Sequence, residues 1–226
     1  MQYHWLNKQN NNKLIIFFAG WSFDEKPFEF LECEDFDVLM LYDYNFVIEN
    51  ECEAIQILNN SNNYKQKYLI AWSMGVYTAY ILKDKLPGFT KKIAINGTPY
   101  PVHNEFGIPE KPFLLTLRHA RTGLEGKFYQ NIFDKTEEFE RYMLNPVQRT
   151  IENRESELKS LYKLIKETDV SYEKFYDKAL ISSNDKIVPT KNQINFYNDN
   201  NTDIKLIESG HFPYYNFKNW NEILCR

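Results

Sequence analysis

Short, nearly continuous apolar runs recur along this chain: KLIIFF (13–18), DVLMLY (37–42), KYLIAW (67–72), KKIAIN (91–96), KALISS (178–183) and DIKLIE (203–208). Runs of that length without polar alternation suit strands covered on both faces, the condition of a parallel sheet. Helical patterns lie around 51–60, 74–86, 190–198 and 217–224. Their alternation predicts an α/β fold, a mostly parallel, doubly wound sheet with right-handed crossovers. MQYHWL at the start adds a candidate edge strand.

The rhythm stops between about residues 100 and 176. YPVHNEFGIPEKPF is a loop punctuated by Pro and Gly. Beyond it come only helix-like segments, at 112–120, 123–132, 136–144 and 147–167, the last carrying Leu158, Leu161, Tyr162 and Ile165 on one face. This predicts a core of 1–99 and 177–226, interrupted by a helical cap insertion over 100–176.

At 226 residues and 43% apolar content, one such domain can bury a full core. A net charge of −4 argues against general nucleic-acid binding, which relies on basic surface. No run of about 18 apolar residues is present, so no membrane span is expected, and the N-terminus has no apolar leader segment. Cys33, Cys52 and Cys225 are odd in number, widely spaced and outside any metal pattern. They read as reduced thiols of a cytoplasmic protein. Neither a metal nor a cofactor is expected, and the oligomeric state is not fixed by sequence.

One junction carries chemistry. In YLIAWSMGVYTAYIL (68–82) an apolar strand pattern ends at Ser73 and a helical pattern begins. Either Ser73 caps the helix, as serine often does, or the turn holds its hydroxyl out for reaction. Ala71-Trp72-Ser73-Met74-Gly75 matches the G-x-S-x-G nucleophile elbow with Ala in the first Gly position. SSNDKIVP places Asp185 just after the KALI strand, and ESGHFP places His211 just after DIKLI. Both therefore fall at carboxyl ends of strands, where open parallel sheets keep their sites. The chain order Ser, Asp, His is that of α/β-hydrolases. A serine hydroxyl is a weak nucleophile until a base takes its proton. His211 is the candidate base and Asp185 the residue that orients it. The oxyanion that forms needs donors. The backbone N–H of Met74 is one candidate, and that of Trp21, in FFAGWS after the first internal strand, is the other.

These residues carry a resemblance. FAGW (18–21), YDY (42–44), AWSMGV (71–76), AINGT (94–98), FGIP (106–109), FERY (139–142) and SSNDKIVP are similar to the BioG type of pimeloyl-acyl-carrier-protein methyl ester esterase, a family of the α/β-hydrolase superfamily. The resemblance runs from about residue 14 to the His211 region. It implies a serine carboxylesterase of biotin synthesis that removes the methyl ester of a pimeloyl chain and leaves its thioester to carrier protein intact. By motif position the catalytic serine falls on Ser73, the acid on Asp185 and the base on His211. The same triad would serve a thioesterase or a broad short-chain carboxylesterase. A non-catalytic carrier-binding module on this fold is a third possibility.

Two further expectations follow from such a substrate. Trp21, Trp72, Phe113 and Phe128 are candidates to line an acyl pocket. Arg118, Arg121, Arg141, Arg149 and Arg154 all lie in the helical segment, and guanidinium groups suit an acidic carrier protein and its phosphodiester. The cap also holds many glutamates with which those arginines can instead pair.

Overall fold

The computed structural model describes residues 1–46 and 53–226. Seven strands form one sheet: β1 (Gln2–Asn7), β2 (Lys13–Phe18), β3 (Phe36–Tyr42), β4 (Gln66–Trp72), β5 (Lys91–Ile95), β6 (Lys178–Ser182) and β7 (Asp203–Ile207). Their order is β1-β3-β2-β4-β5-β6-β7. Only β1 runs antiparallel, pairing Gln2 with Tyr42 at the edge. The remaining pairs are parallel, with Phe18 opposite Leu41 on one side and Ala71 on the other. The mostly parallel sheet and the edge strand at its start are as the sequence predicts; the antiparallel direction of that strand is an addition from the structure.

The apolar runs become strands because both sheet faces are covered. Leu14 to Phe18 of β2 and Val38 to Leu41 of β3 are fully buried. DIKLIE departs from this expectation. As β7 it forms the far edge of the sheet, and Leu206 remains 54% exposed.

The helices are α1 (Glu53–Asn59), α2 (Met74–Ile81), α3 (Glu110–Arg118), α4 (Ala120–Glu125), α5 (Phe128–Ile132), α6 (Thr136–Leu144), α7 (Ile151–Glu167), α8 (Thr190–Asp199) and α9 (Trp220–Leu224). The first two residues of the expected 51–60 helix, Cys52 among them, lie outside the described residues. The expected 123–132 helix is two pieces, broken around Gly126, whose φ of −125° and ψ of −116° are not helical. The segment 147–167 turns helical only after Thr150, whose hydroxyl accepts from the Asn153 amide at 3.2 Å and caps α7.

Helices α3 to α7 all fall between β5 and β6. On its inner face α7 buries Leu158, Leu161 and Leu164. The chain leaves β2 for β3 on one side, then crosses to β4 on the other. The carboxyl ends of β2 and β4 thus flank the switch point where α/β sheets open a crevice.

Candidate active site

The strand–helix junction at Ser73 is compressed. Ser73 has φ 56° and ψ −125°, a backbone state that side chains other than glycine seldom take. The close approach requires small neighbours. A Cβ on Gly75 would lie 2.4 Å from the Phe18 carbonyl oxygen, and one on Gly97 2.4 Å from that of Ser73. Ala71, in the first Gly position of the elbow, is fully buried between Phe18 and Ala94 in the strand register. The capping alternative fails, because the Ser73 side chain bonds no helix amide. Its Oγ lies 2.8 Å from His211 Nε2 instead.

His211 and Asp185 arrive from the loops after β7 and β6. His211 Nδ1 is 2.8 Å from Asp185 Oδ2. An ionised carboxylate only accepts, so the neutral ring carries its proton on Nδ1 and Nε2 accepts from the serine hydroxyl. Asp185 is itself held. Its Oδ1 accepts from the Ile187 and Val188 amides, both at 2.9 Å, and its Oδ2 accepts from Gln193 Nε2 at 3.0 Å. His211 is 2% exposed and Ser73 9% exposed. The fold therefore brings the three separated candidates into one hydrogen-bonded chain.

Further side chains hold the main chain of His211. The His211 carbonyl accepts from Trp72 Nε1 and from Asn96 Nδ2, both at 2.9 Å. Asn96, at φ 46°, also receives the Ser182 amide at 2.7 Å and so ties the end of β5 to β6. Gln193 is fully buried on α8. Asn96 stands in the AINGT motif with no role assigned to it by the sequence, and Gln193 stands in no motif.

A cavity of about 200 Å³ opens at Ser73 and His211. Trp21, Trp72, Phe113 and Phe128 all line it. So do Phe23, Ile108, Pro112, Thr116, Asn131, Ile132, Leu158, Lys186 and Ile187, most of which sequence reasoning missed. The wall is mainly apolar, with few polar groups, as a site for an acyl chain would be. The Trp21 indole donates to the Arg154 carbonyl at 2.7 Å and meets Phe128 edge-on at 4.8 Å. Trp21 and Met74 both border the cavity. Among the described residues, neither backbone amide donates to a protein acceptor.

The loop carrying Trp21 is clamped from α7. Glu157, fully buried, accepts from the Ser22 amide at 3.1 Å and from the Tyr44 amide at 3.0 Å. Burial pushes its carboxyl up, against the pull of the Arg149 guanidinium and the two amides. Arg149 Nη1 sits 2.9 Å from Glu157 and donates to the Phe23 carbonyl at 3.1 Å. Its Nη2 lies 3.2 Å from Asp43. Arg154 donates to the Tyr129 hydroxyl, which pairs with Ser22 Oγ at 3.0 Å.

This corrects two of the expected docking residues. Arg149 and Arg154 are buried in that network and cannot reach an external partner. Arg121 is exposed but pairs with Glu152 at 2.7 Å. Arg141 is exposed and stacks over Phe30 and Tyr215. Arg118 is exposed, and its guanidinium has no partner among the described residues.

The sheet order, with a strand–turn–helix elbow at its central switch point, defines an α/β-hydrolase. The chain belongs to the BioG family, described as pimeloyl-ACP methyl esterase BioG, whose model matches residues 1–223. The crystal structure of BioG from Haemophilus influenzae superposes with a TM-score of 0.84 at 28% identity, covering 98% of this chain and 99% of that one. A malonyl-[acyl-carrier protein] O-methyltransferase of Bacteroides fragilis is 30% identical over 199 residues. The match takes in 88% of this chain but spans only 39% of that relative's length. A carboxylesterase structure from Nitrososphaera gargenis shares the fold at a TM-score of 0.65 and 12% identity, covering 99% of this chain and 92% of that one. Among the described residues no helix is long and apolar enough to cross a membrane.

Proposed function

We propose that this protein is a serine carboxylesterase that hydrolyses the methyl ester of pimeloyl-acyl-carrier protein, releasing methanol in biotin synthesis. The observation that carries the reading is the chain Ser73 Oγ–His211 Nε2 and His211 Nδ1–Asp185 Oδ2, both links 2.8 Å. Family membership supports this choice of substrate. The Bacteroides fragilis relative, named for O-methylation of a carrier-bound acid, accords with a partner chemistry that installs such a methyl group.

In this reading Ser73 Oγ attacks the ester carbonyl as His211 Nε2 takes its proton. Asp185 stabilises the imidazolium. The Trp21 and Met74 amides receive the oxyanion, each donor being worth about 3 kcal/mol in the transition state. The intermediate collapses and methoxide leaves with the proton from His211 as methanol. Water, deprotonated by the same imidazole, then attacks the acyl-serine. The free pimeloyl carboxylate departs and Ser73 regains its proton. Residues 100–176 act as a cap over the core of 1–99 and 177–226. Trp72, Phe113 and Phe128 hold the acyl chain. Arg118, Arg121 and Arg141 form the exposed basic set that faces the acidic carrier. A carrier-bound substrate places the reaction in the cytoplasm.

Methyl pimeloyl carrier protein incubated with the enzyme should yield methanol with the thioester intact. Ser73→Ala should abolish turnover, and a fluorophosphonate should label the wild type at Ser73. Thioester cleavage with the methyl retained would replace this reading by a thioesterase. A protein that binds carrier but takes no label would be a binding module.

A further inference from the structure

The loop after β2 is held by the helical insertion at four successive residues. The Trp21 indole donates to the Arg154 carbonyl at 2.7 Å. The Ser22 amide donates to Glu157 Oε2 at 3.1 Å, and Ser22 Oγ pairs with the Tyr129 hydroxyl at 3.0 Å. The Phe23 carbonyl accepts from Arg149 Nη1 at 3.1 Å. Asp24 Oδ2 accepts from the Gln148 and Arg149 amides at 2.6 and 3.0 Å. Each of these partners belongs to α5, to α7 or to the link just before α7. The same loop presses on the candidate nucleophile, since a Cβ on Gly20 would stand 3.1 Å from the Ser73 Cβ and 3.0 Å from the Trp72 ring.

Ser22 has φ 72°, a backbone state that a residue other than glycine keeps only where its surroundings fix it. Here Glu157 and Tyr129 fix it. Glu157 is fully buried, and a buried carboxylate is a costly way to join a helix to a loop. What an apolar residue could not supply is two acceptors aimed at two amides, that of Ser22 after β2 and that of Tyr44 after β3. We propose that Glu157 is a positioning residue of the reaction. By pinning the Ser22 amide it sets the adjoining Trp21 amide against Ser73, so that the insertion builds half of the oxyanion hole. The inference rests on the serine-esterase reading above and gives the cap a part in the chemistry. A donor displaced by a fraction of an ångström stabilises the oxyanion less, while the ground-state ester still binds. The effect therefore falls on kcat.

Glu157→Gln tests it, because the side chain keeps its volume but turns a donor toward one of the two amides. With p-nitrophenyl acetate as substrate, carrier recognition does not enter, and fluorophosphonate labelling run to completion counts the folded sites. Turnover per labelled Ser73 should fall about tenfold, with KM within about twofold of wild type. Affinity for an aryl trifluoromethyl ketone, which forms a tetrahedral oxyanion on the serine, should fall by a similar factor. Glu152→Ala, at the exposed Arg121 pair on the same helix, should match wild type in all three. Should Glu157→Gln not fold, Tyr129→Phe removes only the hydroxyl shared by Ser22 and Arg154 and should lower turnover per labelled site about threefold, again through kcat. Unchanged turnover per labelled site would overturn the role, as would a loss carried by KM alone or an equal loss in Glu152→Ala. A wild type that neither takes the label at Ser73 nor cleaves the ester would overturn the esterase reading and this role together.

Discussion

Ser73 has a backbone geometry that only its neighbours make tolerable. Adding one methyl at Gly75 puts carbon 2.4 Å from the Phe18 oxygen, so α2 must back away from β2. Gly75→Ala should cost about 1–3 kcal/mol in urea unfolding and should lower kcat, because the same shift carries the Ser73 hydroxyl off the imidazole. Gln193→Leu tests the support of Asp185. It keeps a side chain of similar volume but removes the donor at 3.0 Å, so kcat should fall by about tenfold with KM nearly unchanged in steady-state assays. The three hydrogen-bonded side chains Ser73, His211 and Asp185 were legible because each follows a strand run at a known place in chain order. Gln193 was not legible, since an amide on a helix face has no local signature, and for Asn96 the AINGT motif marks the position but not the bond it makes. Arg154 and Glu157 did leave a trace: both fall at the spacing of the apolar face of α7, beside Leu158 and Leu161.

At the scale of elements, α7 is less a lid strut than a clamp on the loop after β2. Glu157→Leu would orphan the Ser22 and Tyr44 amides and take from the buried Arg149 one of its two carboxylate partners, leaving Asp43. It should destabilise the protein by about 3–5 kcal/mol, read from chemical unfolding, against less than about 1 kcal/mol for Glu152→Ala at the exposed Arg121 pair. A second tie fastens the link between β1 and β2. Burial alone would push the Asp37 carboxyl up, but the Tyr64 hydroxyl, the amides of Gln9 and Asn11 and the Lys8 ammonium outweigh it and hold the carboxyl below its usual range. A depressed folded value stabilises above the unfolded value of about 3.9, and the contribution is lost as pH falls through the folded one. Asp37→Asn should therefore melt lower than wild type at pH 7, and the gap should narrow as pH drops below about 4 in a thermal-melt series. Element types were readable from periodicity, while their ends were not. Gly126 splits one helix and Thr150 delays another through local backbone and capping geometry, which the apolar pattern does not encode.

For the whole molecule, the strand order puts the elbow loop and the loop carrying Trp21 side by side at the centre of the sheet, with α3 to α7 inserted between β5 and β6. The chain is net −4, so attraction for an acidic carrier has to come from a local concentration of exposed cations. Turnover of carrier-bound ester should accordingly weaken between low and physiological salt, through KM, while hydrolysis of a small uncharged ester stays flat. The sheet architecture and the existence of a helical insertion were readable from the alternation of runs. The cavity wall was largely not, because Ile108, Asn131 and Lys186 come together only once distant segments fold over one another. The indole of Trp72 faces the cavity and also grips the main-chain oxygen of His211. Whittling down that ring to widen the cavity would loosen the mounting of His211. Enlarging the cavity has to begin at Phe113 or Phe128, which serve the wall without bonding His211.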